Sequence, residues 1–332
     1  MRAFVVDQAA GVVEWPAPLA TAGDVLVEPL LVGVCGTDLE IIDHTIDPAY
    51  VRHPLVIGHE WVGRLREDHA GLGPAGTRVV VEGVITCGQC RECRRGDTNR
   101  CEVYDEIGFT RAGELAELVS VPSDAVHPLD ASVSDDDAVL VEPMAVVWRA
   151  LTRLPIPSGG RVAVVGDGTV ALLAAHLVRQ FAPSRVVVVG RRAAQRELAT
   201  RAGADDFVVA PPVESFDLVI EAAGVAAAVS DALSLAARGA QVILLGLPAH
   251  GTTVPLAPDD LVNNDLIVQG SFSYTRAAWA AVVDRVNRGE LTPGFLITHR
   301  FDLEHADDAV RALRGPLRDD EPRGKVVVRV RD

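Results

Sequence analysis

Five cysteines occur in the sequence, and four of them lie in one short segment. Cys87, Cys90, Cys93 and Cys101 are spaced C-x2-C-x2-C-x7-C. Four thiolates at this spacing can close around one tetrahedral zinc ion, whereas a bacterial ferredoxin-type iron–sulfur cluster needs a C-x3-C-P ending that the segment lacks. A site closed by four thiolates leaves no open coordination position. We therefore predict a structural zinc ion in a lobe spanning residues 84–104.

The remaining cysteine belongs to a second, mixed set of potential metal ligands. Cys35, His59 and Glu142 lie in the segments V-C-G-T-D, G-H-E and V-E-P. One thiolate, one imidazole and one carboxylate can hold zinc and leave a position for water or substrate. Such a metal would lower the pKa of a bound alcohol and allow a hydride to leave its carbinol carbon for a nicotinamide.

A glycine-rich turn follows the predicted strand Arg161–Val165. The segment Gly166–Ala171 (G-D-G-T-V-A) matches G-x-G-x-x-G/A, in which the glycines allow a tight turn and close approach of a pyrophosphate. The last small residue lets the following helix pack on the sheet, with its N-terminus facing the phosphates. We therefore predict a dinucleotide site with contacts from Gly166, Gly168, Thr169, Val170, Ala223, Gly246 and Leu247.

The end of the next predicted strand indicates which dinucleotide is preferred. NAD enzymes carry an acid about 20 residues after the glycine motif, and it accepts hydrogen bonds from the ribose 2′-hydroxyl. Here the strand Arg185–Val189 ends in Gly190, Arg191 and Arg192, without a carboxylate. An arginine fork binds a 2′-phosphate that an acid would repel, so we predict NADP(H) over NAD(H).

Two patterns of secondary structure must position these residues. Residues 1–130 contain many short apolar strands, such as Val25–Val32 and Thr77–Val81, which favour a β-rich, partly barrel-like domain. From Arg161 onward, short Val-rich strands alternate with helices, as in a doubly wound parallel sheet. Its strands are predicted at Arg161–Val165, Arg185–Val189, Asp217–Ile220, Gln241–Leu245 and Leu266–Gly270, its helices at Arg192–Ala202 and Ala226–Ala237, and a last strand at Gly324–Val330.

Length, charge and hydropathy exclude several classes of protein. The chain has 332 residues, long for one core, and we predict domains at 1–144 with 272–332 and at 145–271. A net charge of −15 argues against nucleic acids, zinc ribbons included, and against anionic membranes. No apolar run reaches the ~18 residues of a membrane span, and the N-terminus lacks signal-peptide features. We therefore expect a cytoplasmic protein.

Taken together, these motifs resemble the medium-chain zinc-dependent alcohol and polyol dehydrogenase family over essentially the whole chain. The shared motifs are G-x-C-G-T-D, G-H-E, the four-cysteine lobe, G-F-T-R-A-G, E-P and the G-x-G-x-x-A turn. The resemblance implies an α/β protein with a GroES-like catalytic domain and a Rossmann cofactor domain. It also implies two zinc ions per chain, one catalytic and one structural, and a homodimer or homotetramer.

The resemblance assigns roles around the catalytic metal. Cys35 and His59 would ligate zinc, Glu60 would ligate it in some states, and Glu142 would act as third ligand directly or through water. Thr37 would relay the alcohol proton, and Asp38 would orient His59.

The outward proton route departs from the family pattern. Many relatives have a histidine three residues after the relay hydroxyl, where this chain has Glu40. Glu40 could do that work or could be an acid on a helix face, and His44 is a weaker alternative.

The substrate is the least defined part of the resemblance. Sugar, polyol and aminocyclitol dehydrogenases are most similar, including 2-deoxy-scyllo-inosamine dehydrogenases, whereas glucose dehydrogenases carry a sugar-binding acid where Val146 stands. Trp61, Glu106 and Arg111, with Glu60, are the expected substrate contacts. We therefore expect a small polar secondary alcohol or its ketone, with threonine or a simple alcohol as alternatives.

Other functions agree less well with the sequence. A zinc-free reductase of the same superfamily needs no Cys35–His59–Glu142 set, and a non-catalytic binding protein needs no relay threonine. A short-chain dehydrogenase needs Tyr-x-x-x-Lys, but Tyr274 is followed by Ala278.

Overall fold

The computed structural model describes residues 1–315 and 320–331, which form two compact units. Within the described ranges, unit 1 holds residues 1–142, 275–315 and 325–331, and unit 2 holds residues 143–274 and 320–324. Residues 320–324 thus group with the second unit, whereas the sequence analysis assigned them to the first domain. The predicted domain limits at 144/145 and 271/272 stay a prediction.

The elements of the first 142 residues are mostly short strands. In chain order they are β1 (Arg2–Val6), β2 (Ala10–Glu14), β3 (Asp24–Val34), α1 (Gly36–Ile42), β4 (Leu55–Val56), β5 (Glu60–Leu65), β6 (Arg78–Val81), β7 (Val84–Ile85), α2 (Arg91–Arg94), β8 (Asp105–Glu106), β9 (Val119–Pro122), β10 (Val126–Pro128) and α3 (Asp135–Ala138).

Strands and helices alternate in the rest of the chain. The elements are α4 (Val141–Leu151), β11 (Arg161–Val165), α5 (Thr169–Val178), β12 (Arg185–Val189), α6 (Arg196–Arg201), β13 (Asp206–Val208), β14 (Phe216–Glu221), α7 (Ala226–Ser234), β15 (Ala236–Leu244), α8 (Pro258–Asn263), β16 (Ile267–Gly270), α9 (Arg276–Asn287), β17 (Ile297–Asp302), α10 (Ala306–Arg314) and β18 (Lys325–Arg329). None of the helices in the described ranges has the length and apolarity to cross a membrane.

Unit 1 is built on a mainly antiparallel sheet in the order β10-β6-β5-β3-β18-β17, with β9 also paired to β3. The long strand β3 lies at the centre, because β5 pairs with one of its edges and β18 with the other. Alternating Val and Leu side chains of these strands form a buried core with Phe4, Ile57 and Leu115. This sheet carries the ends of β3, β5 and β18 next to one another.

Unit 2 contains the predicted doubly wound parallel sheet, with strand order β13-β12-β11-β14-β15-β16. All five pairings in it are parallel. Its central strands have almost no polar side chains and are buried, as expected for strands covered by helices on both faces. The strand order reverses between β11 and β14, and ligands bind at the carboxyl edge of such a reversal.

Two helices of unit 2 are shorter than predicted. A 3-10 turn at Ala193–Gln195 precedes α6, and α7 ends at Ser234 because Ala236 already pairs with Phe216 in the sheet. Alanine favours helix in isolation, but strand pairing outweighs that preference here. The short strand β13 was not predicted, since its three residues give too little pattern to detect.

Three glycines pack together beside the loop that carries His59. A Cβ at Gly108 would lie 2.3 Å from the carbonyl oxygen of Gly58, and a Cβ at Gly113 would lie 2.4 Å from it. Gly58 itself has φ +104°, which an L side chain rarely adopts. The loop before His59 therefore depends on backbone-to-backbone contact.

Gly113→Ala should lower the free energy of unfolding by about 1–3 kcal/mol, because the new methyl group meets backbone that cannot move aside. Urea denaturation followed by circular dichroism measures the change. Gly11→Ala is the control, since the nearest atom to its Cβ position is Asp307 Oδ1 at 4.0 Å, an ordinary van der Waals contact. Equal stability of the two variants would contradict the packing argument.

Candidate functional site

Helix α1 begins at the first candidate ligand. Cys35 is the N-cap residue of α1, and its backbone N–H donates to Asp38 Oδ2 at 2.8 Å. Thr37 follows in the first turn, with its Oγ1 3.7 Å from Cys35 Sγ. The end of β3 and the start of α1 therefore present a thiol and a hydroxyl side by side.

His59 is buried between a carboxylate and an aromatic ring. Its Nδ1 lies 3.4 Å from Asp38 Oδ1, and its ring centroid lies 5.2 Å from that of Phe109. Burial alone lowers the pKa of His59, but Asp38 and Cys35 together raise it well above its ordinary value. With Nδ1 facing Asp38, the Nε2 atom is the one available to a metal.

Cys35, His59 and Glu60 form one group. Their potential ligand atoms all lie within 4.8 Å of one another. A thiolate, an imidazole and a carboxylate gathered in this way fit a zinc ion with an open coordination position. The structure therefore brings together residues that are 24 positions apart in the sequence.

Glu142 lies outside the group of Cys35, His59 and Glu60, but it interacts electrostatically with Glu60 and His59. It sits in the first turn of α4. Burial raises its pKa, and the nearby Glu60 carboxylate raises it further, to about 8. The roles of Glu142 as third ligand, directly or through water, and of Glu60 as a ligand in some states stay predictions.

A buried ion pair supports Glu60. Lys325, at the start of β18, pairs with Glu60 Oε2, and both side chains are only 3% exposed. The pair crosses β3 at Gly33, where a Cβ would lie 2.6 Å from Lys325 Cε and 2.7 Å from Glu60 Oε2. The glycine of the G-V-C-G-T-D motif thus leaves the space that the ion pair occupies. Burial lowers the pKa of Lys325, but Glu60 and Cys35 raise it above its ordinary value.

The other predicted site residues have varied surroundings. Glu40 is exposed, and Trp61 is buried in the hydrophobic core of unit 1. Glu106 accepts a hydrogen bond from Tyr104 Oη at 2.6 Å, and burial raises its pKa. Arg111 lies 3.7 Å from Asp105 and 3.8 Å from Asp24. Glu106 interacts electrostatically with His59.

The four clustered cysteines form a second group. The Sγ atoms of Cys87, Cys90, Cys93 and Cys101 also lie within 4.8 Å of one another. Backbone N–H groups point at the sulfurs: Cys90 N donates to Cys87 Sγ and Cys93 N to Cys90 Sγ, each at 3.4 Å. Hydrogen bonds from the backbone lower the pKa of Cys90 to about 6. Four converging sulfurs that accept backbone hydrogen bonds fit a closed zinc site.

The glycine-rich turn of unit 2 follows β11. Gly166 has φ +132°, and Gly168 caps α5, whose first residues are Thr169 and Val170. A Cβ at Gly166 would lie 3.0–3.1 Å from the backbone of Ala222 and Ala223. The turn therefore needs a glycine at position 166, and it leads into the N-terminus of a ten-residue helix, an arrangement that fits a pyrophosphate.

Glu221, at the end of β14, holds the loop that follows this strand at the carboxyl edge of the sheet. Its Oε1 accepts hydrogen bonds from the N–H groups of Ala223 and Gly224, each at 2.8 Å. Gly246 approaches Gly224 so closely that a Cβ would lie 2.2 Å from its nitrogen, and Leu247 is 81% exposed. These residues border the carboxyl edge of the sheet.

The side chain of Asp167, a residue of the glycine motif, contacts the backbone that follows β12. Its Oδ2 accepts the backbone N–H groups of Arg191 at 2.9 Å and Arg192 at 3.0 Å. The Arg192 guanidinium covers the same carboxylate, with Nη2 2.9 Å from Oδ1. These hydrogen bonds lower the pKa of Asp167 against the effect of burial. The carboxylate is therefore ionised and already accepts hydrogen bonds from two backbone N–H groups and a guanidinium.

The two predicted arginines thus differ. Arg192 is 6% exposed and bound to Asp167, whereas Arg191 is exposed. A side chain at Gly190 has no room, because a Cβ there would lie 2.6 Å from Phe207 and 2.7 Å from Asp167.

Several residues of these sites were not predicted from the sequence. Lys325, Asp167, Glu221 and Phe109 were not predicted to act there. Asp167 had a detectable signal, since a carboxylate in the second position of the glycine motif is available to nearby N–H groups. Lys325 had none, because it lies far along the chain from Glu60.

Two family models match the chain. The model described as alcohol dehydrogenase GroES-like domain matches residues 21–131, and the model described as zinc-binding dehydrogenase matches residues 165–288. The first match covers both cysteine-containing groups, and the second begins at the end of β11.

Curated proteins and solved structures are similar over nearly the full length. L-threonine 3-dehydrogenase of Streptomyces coelicolor is 31% identical over 90% of this chain and 92% of that protein. Sorbitol dehydrogenase of Bacillus subtilis is 27% identical over 90% and 89%. A structure described as a zinc-binding dehydrogenase from Sinorhizobium meliloti bound to NADP is 28% identical, with a TM-score of 0.90 over 99% of both chains.

Metal analysis combined with thermal denaturation should separate the two cysteine sites. Wild-type protein should hold about two zinc ions per chain. Cys93→Ala should lose one and unfold at a lower temperature, because the zinc closes its loop. Cys35→Ala should also lose one but keep its melting temperature near that of the wild type. Wild-type protein free of zinc, or a Cys93→Ala variant that keeps its full zinc content, would contradict this division.

Proposed function

Because the chain belongs to the medium-chain zinc-dependent alcohol and polyol dehydrogenase family, we propose that it transfers a hydride between NADP(H) and a secondary alcohol or the matching ketone. The observation that carries this proposal is the convergence of Cys35, His59 and Glu60 within 4.8 Å, in a chain that also has a dinucleotide-binding turn. The proposed substrate is a small polar molecule of the polyol, sugar or aminocyclitol type.

In this proposal, Cys35 and His59 hold the catalytic zinc, with Glu60 or Glu142 as the third protein ligand. When bound, zinc supplies Lewis-acid polarisation of the substrate oxygen. Asp38 fixes the imidazole of His59 through Nδ1, and Lys325 holds one oxygen of Glu60 so that its other oxygen remains for the metal.

Thr37 takes the substrate's hydroxyl proton in the proposed oxidation. Its hydroxyl lies next to Cys35 Sγ and can accept one hydrogen bond while it donates another. Glu40, one helical turn later and exposed, can pass the proton to solvent. Glu106 and Tyr104 add a carboxylate and a phenol near His59, which suits a substrate rich in hydroxyl groups.

The proposed preference for NADP(H) has two supports in unit 2. Asp167 already accepts hydrogen bonds from Arg191 and Arg192, so its carboxylate is engaged inside the protein and is a poor acceptor for the ribose 2′-hydroxyl. Position 190 has no room for the acid that NAD enzymes carry there. Arg191 is exposed and can pair with a 2′-phosphate.

The proposed structural zinc binds Cys87, Cys90, Cys93 and Cys101. Closely spaced thiols persist in a reducing compartment, which supports the proposed cytoplasmic location.

Reduction of NADP+ and NAD+ should be followed with polyols, sugars, aminocyclitols, threonine and simple alcohols. Wild-type protein should turn over a polar secondary alcohol with NADP+ preferred. Arg191→Ala should lower kcat/KM for NADP+ about 10- to 100-fold and leave NAD+ nearly unchanged, because one charge-assisted contact is lost. Arg196→Ala, which removes a nearby arginine at the start of α6 that contacts Asp206 and Phe207, is the matched control.

Two results would overturn parts of this proposal. Absence of turnover across the whole panel would favour a non-catalytic protein on this scaffold. A clear preference of the wild type for NAD+ would refute the assignment of Arg191.

We also propose a homodimer formed through β16. This strand is an edge of the parallel sheet, and Ile267 and Val268 on it are 47% and 40% exposed, with Val262 and Phe272 exposed nearby. An exposed apolar edge strand is a site for pairing with another chain.

Ile267→Lys should shift the protein toward monomer, because the introduced charge would be buried at the paired edge. Light scattering after size-exclusion chromatography measures the mass. Val213→Lys, at an exposed position outside this edge, should leave the mass unchanged. A dimer that persists in Ile267→Lys would place the interface elsewhere.

A further inference from the structure

We infer that Arg323 is a specificity residue for the adenosine 2′-phosphate of the cofactor, acting together with Arg191. The inference rests on the proposed preference for NADP(H). Nothing in the sequence connects Arg323 with the cofactor, because it lies 132 positions after Arg191 and outside both matched family segments.

A buried glutamine holds the backbone of Arg323 at the end of β12. Gln195 is fully buried, and its Oε1 accepts the N–H of Arg323 at 2.9 Å. Its Nε2 donates to the carbonyl oxygens of Arg323 at 3.0 Å and Asp167 at 2.5 Å. This double hydrogen bond fixes residue 323 against the turn that contains Asp167.

The arrangement gathers three arginines around one carboxylate. Arg192 covers Asp167, and the backbone N–H of the preceding residue, Arg191, donates to the same carboxylate. Arg323 interacts electrostatically with both Arg192 and Asp167. Burial lowers the pKa of Arg323, and repulsion by Arg192 lowers it further. In a protein of net charge −15, this local excess of positive charge is unusual and requires an explanation.

One donor of the cluster also lacks an acceptor. Among the described residues, Arg192 Nη1 is buried without a hydrogen-bond partner. A buried unsatisfied donor on a charged group is costly. An anion beside Arg192 would satisfy this donor and reduce the repulsion between Arg192 and Arg323.

A phosphate monoester fits this position better than other anions. The cluster lies at the carboxyl end of β12, where dinucleotide-binding sheets place the adenosine ribose. One guanidinium group can donate two parallel hydrogen bonds to the oxygens of a phosphate. Arg191 and Arg323 would approach the 2′-phosphate from two segments of the chain, and Arg192, held by Asp167, would support them.

The test compares two adenosine probes by isothermal titration calorimetry. Adenosine 2′,5′-bisphosphate contains the 2′-phosphate, and 5′-AMP lacks it. Arg323→Ala should weaken binding of the bisphosphate about 10-fold or more, roughly the contribution of one charge-assisted hydrogen bond. Binding of 5′-AMP should stay unchanged. Arg323→Lys keeps the charge without the fork and should lie between wild type and Arg323→Ala.

Arg196→Ala serves as the control, since it removes an arginine that contacts Asp206 and Phe207 instead of Asp167. If Arg323→Ala behaves like Arg196→Ala while the wild type still prefers the bisphosphate, the inference is wrong and the NADP(H) proposal stands. Equal loss of both probes would assign Arg323 to general stability or to the 5′-phosphate and would also overturn the inference. A wild type without preference for the bisphosphate would instead refute the NADP(H) proposal.

Discussion

The buried ion pair between Lys325 and Glu60 is the interaction on which the proposed catalytic metal site depends. An unpaired carboxylate at this depth would be strongly destabilising. The pair forms because β5 and β18 flank β3, and because Gly33 leaves space between them. The ion pair can therefore form only when β18, the last strand, lies beside β3, the long central strand. The same strand order that builds the sheet also neutralises the buried carboxylate of Glu60.

The two proposed metal sites are assembled in different ways. The four cysteines come from one segment of fifteen residues, whose turns and backbone N–H groups set the sulfur positions locally. The Cys35 site draws on β3, α1, β5 and β18, so it exists only after the sheet of unit 1 has formed. This difference suits their proposed duties, since a local closed site stabilises a lobe and a dispersed site can leave a coordination position open.

At the carboxyl edge of the parallel sheet in unit 2, the hydrogen bonds of one carboxylate change which cofactor it indicates. A carboxylate near the end of β12 ordinarily indicates NAD, yet Asp167 already accepts hydrogen bonds from two N–H groups and a guanidinium. Its charge is used inside the protein, to position Arg192 and to hold the turn. What remains toward the cofactor is the positive charge of the neighbouring arginines, which supports a phosphate at that position.

The sequence by itself determined the fold class, the family and the strands β11 and β12 to the residue, because glycine motifs and Val-rich strands are local patterns. It also placed Cys35, His59 and the four cysteines in two separate groups. Only the tertiary structure decided that Lys325 pairs with Glu60, that Arg192 is occupied by Asp167, that Arg323 joins them, and that Trp61 belongs to the core. Most of these contacts join residues that lie far apart in the chain, and the position of Trp61 depends on which face of its strand is buried. The spacing of residues along the sequence determines neither the long-range contacts nor the buried face.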